Sequence, residues 1–410
     1  MITHRPPAFP LSKALILFVC AAILFLRKPD QFFNPQFWAE DGVFYHSWYI
    51  RDWAALIEPY AGYLHTLPRL IAATCWIVGP EYAPHWFVGC AALVSVYVCA
   101  RSMAPRQLLP GGPLLAFAVV LVPDAFEVLL NVANLQWVVA AGFFLLLTSA
   151  DPTNRAGAVH DAIASFLAGL TGPFSILLAP LFIIRAAGRR THISWILAIL
   201  VTATAAIQVY FVTQYREPAP ANTQIQYLNG FEAMGVRLAG SILAGGRITE
   251  NSPTAIKWTM AALTVLVLGL SAARSNLLRG KANPPLLEAA FTLLLAASLY
   301  RCRWVFSDLQ HPGYGSRYFF PLQIVLLWMV ISWLSETTRP GKWGALAFLL
   351  YVTAVNIPRL RESALADLHW ADYAPRIRAG EAVTIPINPA GSSWRIPLPA
   401  RPTATAKSAR

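Results

Sequence analysis

The chain has 410 residues, of which 56% are hydrophobic and only 13% are charged, and its net charge is +12. A soluble domain carries about a quarter of its residues as Asp, Glu, Lys and Arg, so this chain has roughly half the charge that a water-facing surface needs. Together with a mean hydropathy of +0.50, this excludes a soluble single-core protein, a collagen-like fibre and a disordered chain. The 32 Lys and Arg residues are scattered between apolar runs, which indicates membrane topology and not a basic nucleic-acid-binding face.

The cysteines and the first apolar run further restrict the possible classes of protein. The five cysteines form an odd set without CxxC spacing, which favours neither a disulfide framework nor a zinc site. The first apolar run, residues 14–26, is followed by Arg27, Lys28 and Pro29 without a small-x-small cleavage motif. This pattern predicts an uncleaved first membrane span.

Twelve apolar runs have the composition to cross or enter a bilayer, which about 20 helical residues span. They are residues 11–26, 64–79, 85–100, 113–122, 135–149, 162–171, 173–185, 192–212, 257–273, 285–300, 318–334 and 343–356. Short clusters of basic residues between the runs set the orientation, because such clusters stay in the cytoplasm. These clusters are Arg101/Arg106, Arg155, Arg185/Arg189/Arg190, Arg274/Arg279/Lys281 and Arg339/Lys342.

The run 64–79 decides the topology. If it crosses, the cluster of Arg101 and Arg106 lies on the opposite side from the later clusters. If it lies along the outer surface, every cluster lies inside with the N-terminus. Because His65, Pro68 and Arg69 occupy its first turns, an interfacial helix is favoured.

We therefore predict an all-α polytopic membrane protein with about eleven transmembrane helices, and interfacial helices in the first outer loop. The transmembrane module covers residues 1–356, with outer loops at 27–84, 123–134, 213–256 and 301–317. Its membrane is the plasma membrane, the inner membrane of a bacterium, with the N-terminus in the cytoplasm.

Residues 357–410 form a small tail on the outer side, predicted to be disordered over its last ten or so residues. VTIPINPAGSSW in the tail alternates like a small strand pair that would cap the outer side, and Gly172-Pro173 predicts a tight outer turn.

The densest polar and aromatic cluster lies in the first outer loop. Adjacent carboxylates, Glu40 and Asp41, stand in FWAEDGVFYHSWYIRDW, and the loop continues through EPYAGYLHTLPRL with His65 and Arg69. A structural loop does not need two acids at a membrane surface, which favours a functional role. The alternative is that Asp41-Gly42 caps an amphipathic helix.

A second cluster is PDAFEVLLNVANLQW. Asp124, Glu127, Asn131 and Asn134 follow one another at i, i+3, i+7 and i+10, which predicts one polar stripe on a short helix. Polar groups this close to the hydrocarbon line a cavity or pair with one another. Both interpretations remain open at this point: a helix face towards a polar cavity, or an interhelical hydrogen-bond network.

A third cluster, SDLQHPGYGSRYFFPL, contains Arg317 and Tyr318 at a predicted helix start after Gly313 and Gly315. Guanidinium donors, helix N-terminal amides and a tyrosine hydroxyl can converge on a phosphate, so this pattern indicates an anion contact. The alternative is an arginine that extends its side chain to the lipid headgroups.

The order of several short motifs resembles the GT-C superfamily, membrane glycosyltransferases that use polyprenyl-phosphate sugars. The matching stretches are WAEDG at 38–42, RDW at 51–53, PYAGY at 59–63, VGPE at 78–81 leading to AR at 100–101, and GSRYFFP at 315–321. The resemblance covers the first 140 residues and this later stretch. In place of the Glu-Lys-Pro-Pro of the aminoarabinose-transferase branch, the chain has GYLH at 62–65.

The resemblance implies transfer of a sugar from a polyprenyl-phosphate donor to a glycan, lipid or protein acceptor at an outward-facing site, with inversion and without nucleic acid. It implies a catalytic base or metal-site carboxylate at Asp41, with Glu40 beside it and with Asp124 and Glu127 assisting. A divalent cation such as Mg or Mn would be held by Asp41, since carboxylate oxygens suit such ions. Substrate-binding roles fall to His65, Arg69, Asn131, Asn134, Arg317 and Tyr318, of which Arg69 and Arg317 would hold the lipid phosphate.

Two other functions remain open. A secondary transporter or lipid flippase would show inverted repeats and charges near the midplane, and no repeat is visible here. An O-antigen polymerase or ligase would have a late arginine-rich outer loop, which residues 213–256 resemble through Arg216, Arg237 and Arg247, with Lys257 near it.

Overall fold

The computed structural model describes residues 12–215, 227–279, 285–311, 313–337 and 339–401, and most of them are helical. The helices are α1 (Lys13–Arg27), α2 (Asp30–Phe33), α3 (Asp41–Arg51), α4 (Thr66–Cys75), α5 (Ala83–Ser102), α6 (Pro113–Leu121), α7 (Leu135–Thr148), α8 (Arg155–Gly169), α9 (Phe174–Arg189), α10 (His192–Gln214), α11 (Tyr227–Gly235), α12 (Ser241–Leu243), α13 (Gly246–Glu250), α14 (Thr254–Arg279), α15 (Leu286–Arg301), α16 (Ser316–Thr337), α17 (Arg339–Leu360) and α18 (Trp370–Arg378). Short 3-10 helices cover Asp52–Ile57, Pro80–Tyr82 and Asp308–Gln310, and a π-helical turn covers Val236–Gly240. The strands are β1 (Val383–Pro386) and β2 (Arg395–Leu398).

Five helices of the described ranges have the length and apolar composition to cross a membrane. They are Pro80–Ser102, His192–Gln214, Thr254–Ser275, Ser316–Ser335 and Pro340–Leu360, and a shorter apolar helix covers Leu135–Thr148. The predicted all-α architecture and the predicted membrane character agree with these helices.

The apolar helices differ in how far the chain itself covers them. In Ser316–Ser335, 78% of the apolar window is buried inside the protein, against 11% in Thr254–Ser275. An apolar helix that its own chain leaves uncovered requires an apolar surrounding, because exposed apolar area is unfavourable in water. Helix α16 is therefore a central element, and α14 lies at the periphery with an apolar face turned outward.

One end of the bundle carries arginines that pair with two acids, and we call it the basic end. Arg106 forms a bidentate pair with Asp161 of α8 at 2.8 and 2.9 Å, and Arg101 lies 3.7 Å from the same carboxylate. Arg185 contacts Asp151 at 2.6 Å, and Arg189 is bonded to Asp151 as well. Three of the predicted basic clusters, Arg101/Arg106, Arg155 and Arg185/Arg189/Arg190, thus lie next to the α7–α8 and α9–α10 connections. Asp151 and Asp161 neutralise part of their charge.

The opposite end, which we call the tail end, is where residues 361–401 lie. The α8–α9 turn reaches this end, because Thr66 donates its N–H to the carbonyl of Leu170 at 3.0 Å and Gly172 donates to Leu64 at 2.9 Å. Gly172 has a φ of +87°, a conformation in which glycine avoids steric strain. The predicted tight turn at 172–173 is confirmed.

Helix α4, within the predicted interfacial run 64–79, has ten residues. At 1.5 Å per residue it is about 15 Å long, roughly half of the hydrocarbon thickness. It lies at the tail end against α3 and α5. Its place beside α3 at this end agrees with the predicted surface position.

The predicted short helix over residues 124–134 is wrong, since this segment consists of turns. Leu130 adopts a left-handed φ of +60°, which interrupts any right-handed helix. Side chains also take the amide donors that a helix would use: Glu127 donates its N–H to Ser316 Oγ at 3.4 Å, and Ala133 donates to Asp41 Oδ1 at 2.7 Å. The polar residues of the segment therefore do not form one helical stripe, and each has its own partner or position.

The predicted outer loop 213–256 contains helices α11 to α13 and the π-helical turn. Its apolar residues, among them Met234, Leu238 and Ile242, are buried, and this burial holds the segment in helical form. Arg216 of this segment, Lys281 and the predicted disordered residues 402–410 lie outside the described residues.

The predicted strand pair of the tail is confirmed, with the second strand just beyond the predicted stretch. Strands β1 and β2 pair antiparallel, with Val383 opposite Leu398 and Pro386 opposite Arg395. Alternate side chains of the hairpin face inward, and Ile385 and Ile396 are buried. The hairpin packs on α3, where a Cβ added to Gly42 would lie 2.6 Å from Ile387 Cδ1 and 2.8 Å from Ile396 Cγ1.

Replacement of Gly42 with valine should lower the stability of the protein, because the added methyl groups cannot fit between α3 and the hairpin. We expect the free energy of unfolding to fall by about 1–3 kcal/mol, measured as thermal unfolding in detergent micelles. Gly89→Val is the matched control, since a Cβ at Gly89 meets nothing within 4 Å. Equal losses for the two variants would contradict the close approach of the hairpin.

Candidate functional site

Asp41 is the first residue of α3, and its carboxylate connects two loops. Oδ2 accepts the N–H of Trp38 at 3.1 Å, and Oδ1 accepts the N–H of Ala133 at 2.7 Å. The residue is 4% exposed. Burial raises the pKa of Asp41 to about 7, against the lowering effect of the two backbone donors. Since both oxygens are already occupied, Asp41 holds the first loop against residues 123–134.

Glu40 differs sharply from its neighbour. It is half-buried, and within the described part of the chain its carboxylate has no hydrogen-bond or ion-pair partner. Its negative charge contributes to the raised pKa of Tyr60 and attracts the guanidinium of Arg317. These two residues are 20 and 277 positions away in the sequence. The carboxylate of Glu40 is therefore free to accept a proton or a hydrogen bond from another molecule.

Tyr60 and Tyr63 face each other across a tight turn. Their backbones exchange two hydrogen bonds, at 3.0 and 3.2 Å, and the turn between them places Ala61 at φ +51° and Gly62 at φ +90°. Burial raises the pKa of each tyrosine to about 12. Both side chains therefore remain neutral hydroxyl groups at physiological pH and can donate hydrogen bonds.

His65 and Arg69, two predicted substrate contacts, are enclosed in the first loop. His65 is 2% exposed and stacks on Tyr63 with ring centroids 4.7 Å apart. Burial, reinforced by the charge of Arg69, lowers the pKa of His65 to about 3. Arg69, also 2% exposed, lies 3.5 Å from Glu58 and 5.3 Å from the ring of Phe44. Both side chains hold α4 in place and present little surface to a ligand.

Asp124, predicted as a catalytic acid, forms a buried ion pair with Arg237 of the π-helical turn. The distance from Oδ2 to Nη2 is 3.0 Å, and the two side chains are 6% and 0% exposed. Arg237 also donates to the carbonyls of His311 at 2.8 Å and Tyr314 at 3.0 Å. This arginine joins three segments at the tail end, and it was predicted only as one of several loop arginines. Its position within GVRLAG, among apolar and small residues, is the signal that marks it as buried.

Glu127 lies at the N-terminus of α16. Its Oε2 accepts the hydroxyl of Ser316 and the N–H of Arg317, both at 3.3 Å, and lies 3.8 Å from the guanidinium of Arg317. A carboxylate in this position is stabilised by the helix dipole and by the unpaired amides of the first turn. Glu127 therefore occupies the helix N-terminus at which an anion was predicted.

Arg317 and Tyr318 begin α16 as predicted. The guanidinium of Arg317 is 31% exposed and lies over the Tyr318 ring at 5.3 Å. The Tyr318 ring in turn packs edge-on against Trp137, with centroids 5.3 Å apart. Of the two arginines predicted to hold phosphate, Arg317 is the one whose side chain remains accessible.

Asn131 and Asn134 shape the entry into α7. The side-chain oxygen of Asn131 accepts the N–H of Asn134 at 3.2 Å, an Asx-type turn that precedes the helix. Both residues are buried, at 7% and 3% exposure. Their predicted role in substrate binding stays a prediction, and their visible role is to fix the backbone next to Ala133.

The half-buried polar side chains at the tail end form what we call the Glu40 cluster: Glu40, Tyr60, Tyr63, Glu127, Arg317 and Tyr318. The groups of this cluster influence one another electrostatically. Arg317 lowers the pKa of both Tyr60 and Tyr63, whereas Glu40 raises the pKa of Tyr60 and Tyr318 raises that of Tyr63. The cluster combines an unpaired carboxylate, an accessible guanidinium and neutral hydroxyl groups. Such a set can accept a proton, stabilise an anion and donate hydrogen bonds.

A groove of about 480 Å³ lies elsewhere, between α3 and the hairpin. It is lined by His46, Ile50, residues 382–384 and residues 397–399. None of the predicted site residues lines it.

The predicted divalent ion at Asp41 does not fit the residues around it. Both Asp41 oxygens face backbone N–H groups, whose positive ends oppose a cation. Within the described ranges, no group of three or more His, Cys, Asp and Glu residues is placed to hold a metal ion.

Comparison with models of known protein families finds no match, and neither curated proteins nor solved structures match the chain significantly.

Replacement of Asp124 with asparagine should destabilise the protein, because the guanidinium of Arg237 would remain buried without its counter-charge. Breaking such a pair costs about 3–5 kcal/mol, which thermal unfolding in detergent would measure. Asp308→Asn, at an exposed position, provides the control. A variant of Asp124 as stable as the control would show that the pair does not support the fold.

Proposed function

We propose that the protein is an integral-membrane glycosyltransferase of the GT-C type, which moves a sugar from a polyprenyl-phosphate donor to a cell-envelope acceptor. The observation that carries this proposal is the presence of a carboxylate without a partner among the described residues, Glu40, and an accessible guanidinium, Arg317, whose charges influence each other at one end of an apolar helical bundle. The order of motifs in the first 140 residues supports the same reaction class. The acceptor is a glycan, a lipid or a protein.

The proposed topology has eleven crossings, α1, α5 to α10 and α14 to α17, with α4 on the outer surface. The positive-inside rule supports a cytoplasmic basic end, where Arg101, Arg106, Arg185 and Arg189 lie. The N-terminus is then cytoplasmic, and the tail end faces outward from the plasma membrane, the inner membrane of a bacterium. A lipid-linked sugar would reach the Glu40 cluster from the outer leaflet.

In the proposed reaction Glu40 is the general base. Its carboxylate takes the proton of an acceptor hydroxyl, the oxygen forms a bond to the anomeric carbon, and the bond from that carbon to the phosphate oxygen breaks. The leaving polyprenyl phosphate keeps the electron pair, and the guanidinium of Arg317 stabilises its added negative charge. Attack from the face opposite the phosphate inverts the anomeric centre.

Asp41 has a supporting role in this proposal. Because both of its oxygens accept backbone N–H groups, it is poorly placed to take a substrate proton. It fixes the turn that carries Glu40. Glu127 likewise orients Arg317 through the helix N-terminus and the ion pair.

The topology can be measured by cysteine labelling in intact cells. Ser307→Cys, at the tail end, should react with a membrane-impermeant maleimide. Thr153→Cys, at the basic end, should react only after permeabilisation, because the bilayer separates the two sites. The parent chain controls for its native cysteines, four of which are buried. Labelling of both variants from the same side would contradict the eleven-crossing arrangement.

The catalytic assignment predicts different outcomes for two adjacent carboxylates. Glu40→Gln should reduce sugar transfer roughly 10²–10⁴-fold, the usual contribution of a general base, with an unchanged melting temperature because Glu40 has no partner to lose among the residues that the structure describes. Asp41→Asn should lower the melting temperature, because an amide nitrogen cannot accept a backbone N–H and one donor stays unpaired. Transfer is measured in proteoliposomes with a panel of polyprenyl-phosphate hexoses.

The matched control for these variants is Glu381→Gln. Glu381 lies in an exposed pair with Arg376, which contributes little to stability. It should therefore retain both activity and melting temperature. Full transfer by Glu40→Gln would exclude Glu40 as the base.

A further inference from the structure

The tail runs along the first loop over most of its length. Glu362 donates its N–H to the carbonyl of Arg27 at 2.8 Å, and its carboxylate lies 3.3 Å from Arg27 and 3.4 Å from Lys28. The N–H of Leu365 donates to Asp30 at 3.1 Å. These contacts place the tail beside the segment that leads from α1 to Glu40.

Asn388 makes the contact nearest to Glu40. Its N–H donates to the carbonyl of Phe37 at 3.1 Å, and its carbonyl accepts the N–H of Ala39 at 2.6 Å. Its side chain exchanges two hydrogen bonds with the backbone of Ala366, at 2.9 and 3.1 Å. With 2% exposure, Asn388 links residues 37–39, through an isolated β-bridge at Trp38, to another part of the tail.

The backbone that Asn388 contacts is in an unfavourable conformation. Ala39 has a φ of +42°, and a non-glycine residue stays in the left-handed region only where its surroundings hold it. The hydrogen bond from Ala39 to Asn388 provides one such restraint, and the bond from Trp38 to Asp41 provides another. Without the first, the turn can relax to a more common conformation.

Further contacts fix the rest of the tail on the same surface. Trp370 donates its ring N–H to the carbonyl of Pro80 at 2.8 Å and packs edge-on against Phe37 at 4.8 Å. At the other edge, the hydroxyl of Tyr49 donates to Pro399 at 3.2 Å. The tail is therefore anchored before and after the turn that carries Glu40.

We infer that residues 361–401 are a positioning element of the Glu40 cluster, in which Asn388 is the positioning residue that holds the carboxylate of Glu40 opposite Arg317. Glu40 lies between Ala39, bonded to the tail, and Asp41, bonded to residues 123–134. Its position relative to α16 depends on both restraints. For its catalytic readout, this inference rests on the proposed function.

The test compares the wild type with Asn388→Ala in the full-length chain, by hydrogen exchange and by sugar transfer. Loss of the side-chain bonds to Ala366 should speed amide exchange over residues 37–42 about tenfold, which corresponds to about 1.4 kcal/mol of local opening free energy. It should lower kcat roughly 10- to 100-fold, as displaced catalytic groups do. KM for the donor should stay within about twofold, because uniform binding of the donor is left intact.

Asn251→Ala is the matched control. Asn251 is an exposed asparagine whose side chain bonds to the carbonyl of Arg247, four residues earlier in the chain. This control should change neither the exchange of residues 37–42 nor kcat. An unchanged exchange rate over residues 37–42 in Asn388→Ala would overturn the inference, as would an unchanged kcat in an active enzyme.

Two further outcomes are distinguished by the same design. If the wild type transfers no sugar from any donor of the panel, the proposed function fails, and hydrogen exchange alone decides on the positioning role. If Asn388→Ala does not fold, Ile387→Val replaces it, since this change removes only the methyl group that faces Gly42. Faster exchange over residues 37–42 then supports the inference, and unchanged exchange overturns it.

Discussion

The buried carboxylate of Asp41 is the interaction on which the tail end depends. It accepts one amide from its own turn and one from Ala133, so two loops that are 92 residues apart in sequence share one acceptor group. A buried carboxylate without such donors would cost several kcal/mol, and two backbone amides without an acceptor would cost about 1–3 kcal/mol each. Neither loop is therefore stable in this conformation without the other. Because Asp41 already accepts the N–H groups of Trp38 and Ala133, these two donors do not bind the carboxylate of Glu40.

The same rule governs the other ionisable groups of the interior. Arg237 with Asp124, Arg185 with Asp151 and Glu362 with Arg27 are pairs of which at least one member is almost fully buried. In an apolar surrounding a charged side chain is stable only with a partner. Each of these ion pairs therefore joins two segments that lie side by side in the folded chain. The excess of basic residues, which gives the chain its net charge of +12, is found in part at the basic end, where two arginines share Asp161 and two others share Asp151.

Much of the helical framework could be predicted from the sequence. Long apolar runs such as 192–212 permit only a helix in a membrane, and α10 covers His192–Gln214. The short amphipathic helix after Glu40 and the tail hairpin were also predictable, because their periodicities of 3.6 and 2 are distinct. The helix expected over residues 124–134 was wrong because local spacing does not show that Ser316 and Asp41 compete for its amide donors.

The candidate site was predictable in its location and not in its division of roles. Adjacent carboxylates at 40 and 41 look equivalent in the sequence, and only the fold shows that Asp41 accepts two backbone amides whereas Glu40 accepts none from the described part of the chain. Arg69 and Arg317 were both predicted to hold the phosphate, and the structure distinguishes them, since Arg69 is buried and the side chain of Arg317 is accessible. Such differences depend on partners more than 90 residues away, as with Asp41 and Ala133, which no local pattern encodes.

The contact between Asn388 and Ala39 has a consequence for the order of biosynthesis. A ribosome that adds about 5–20 residues per second reaches residue 388 roughly 20–70 seconds after residue 39. During this interval the first loop has already been synthesised, while the segment that restrains its turn has not been made. The restraint on the turn that carries Glu40 is therefore absent until residue 388 has been added, so a shorter nascent chain would contain the first helices without an ordered turn at residues 38–41.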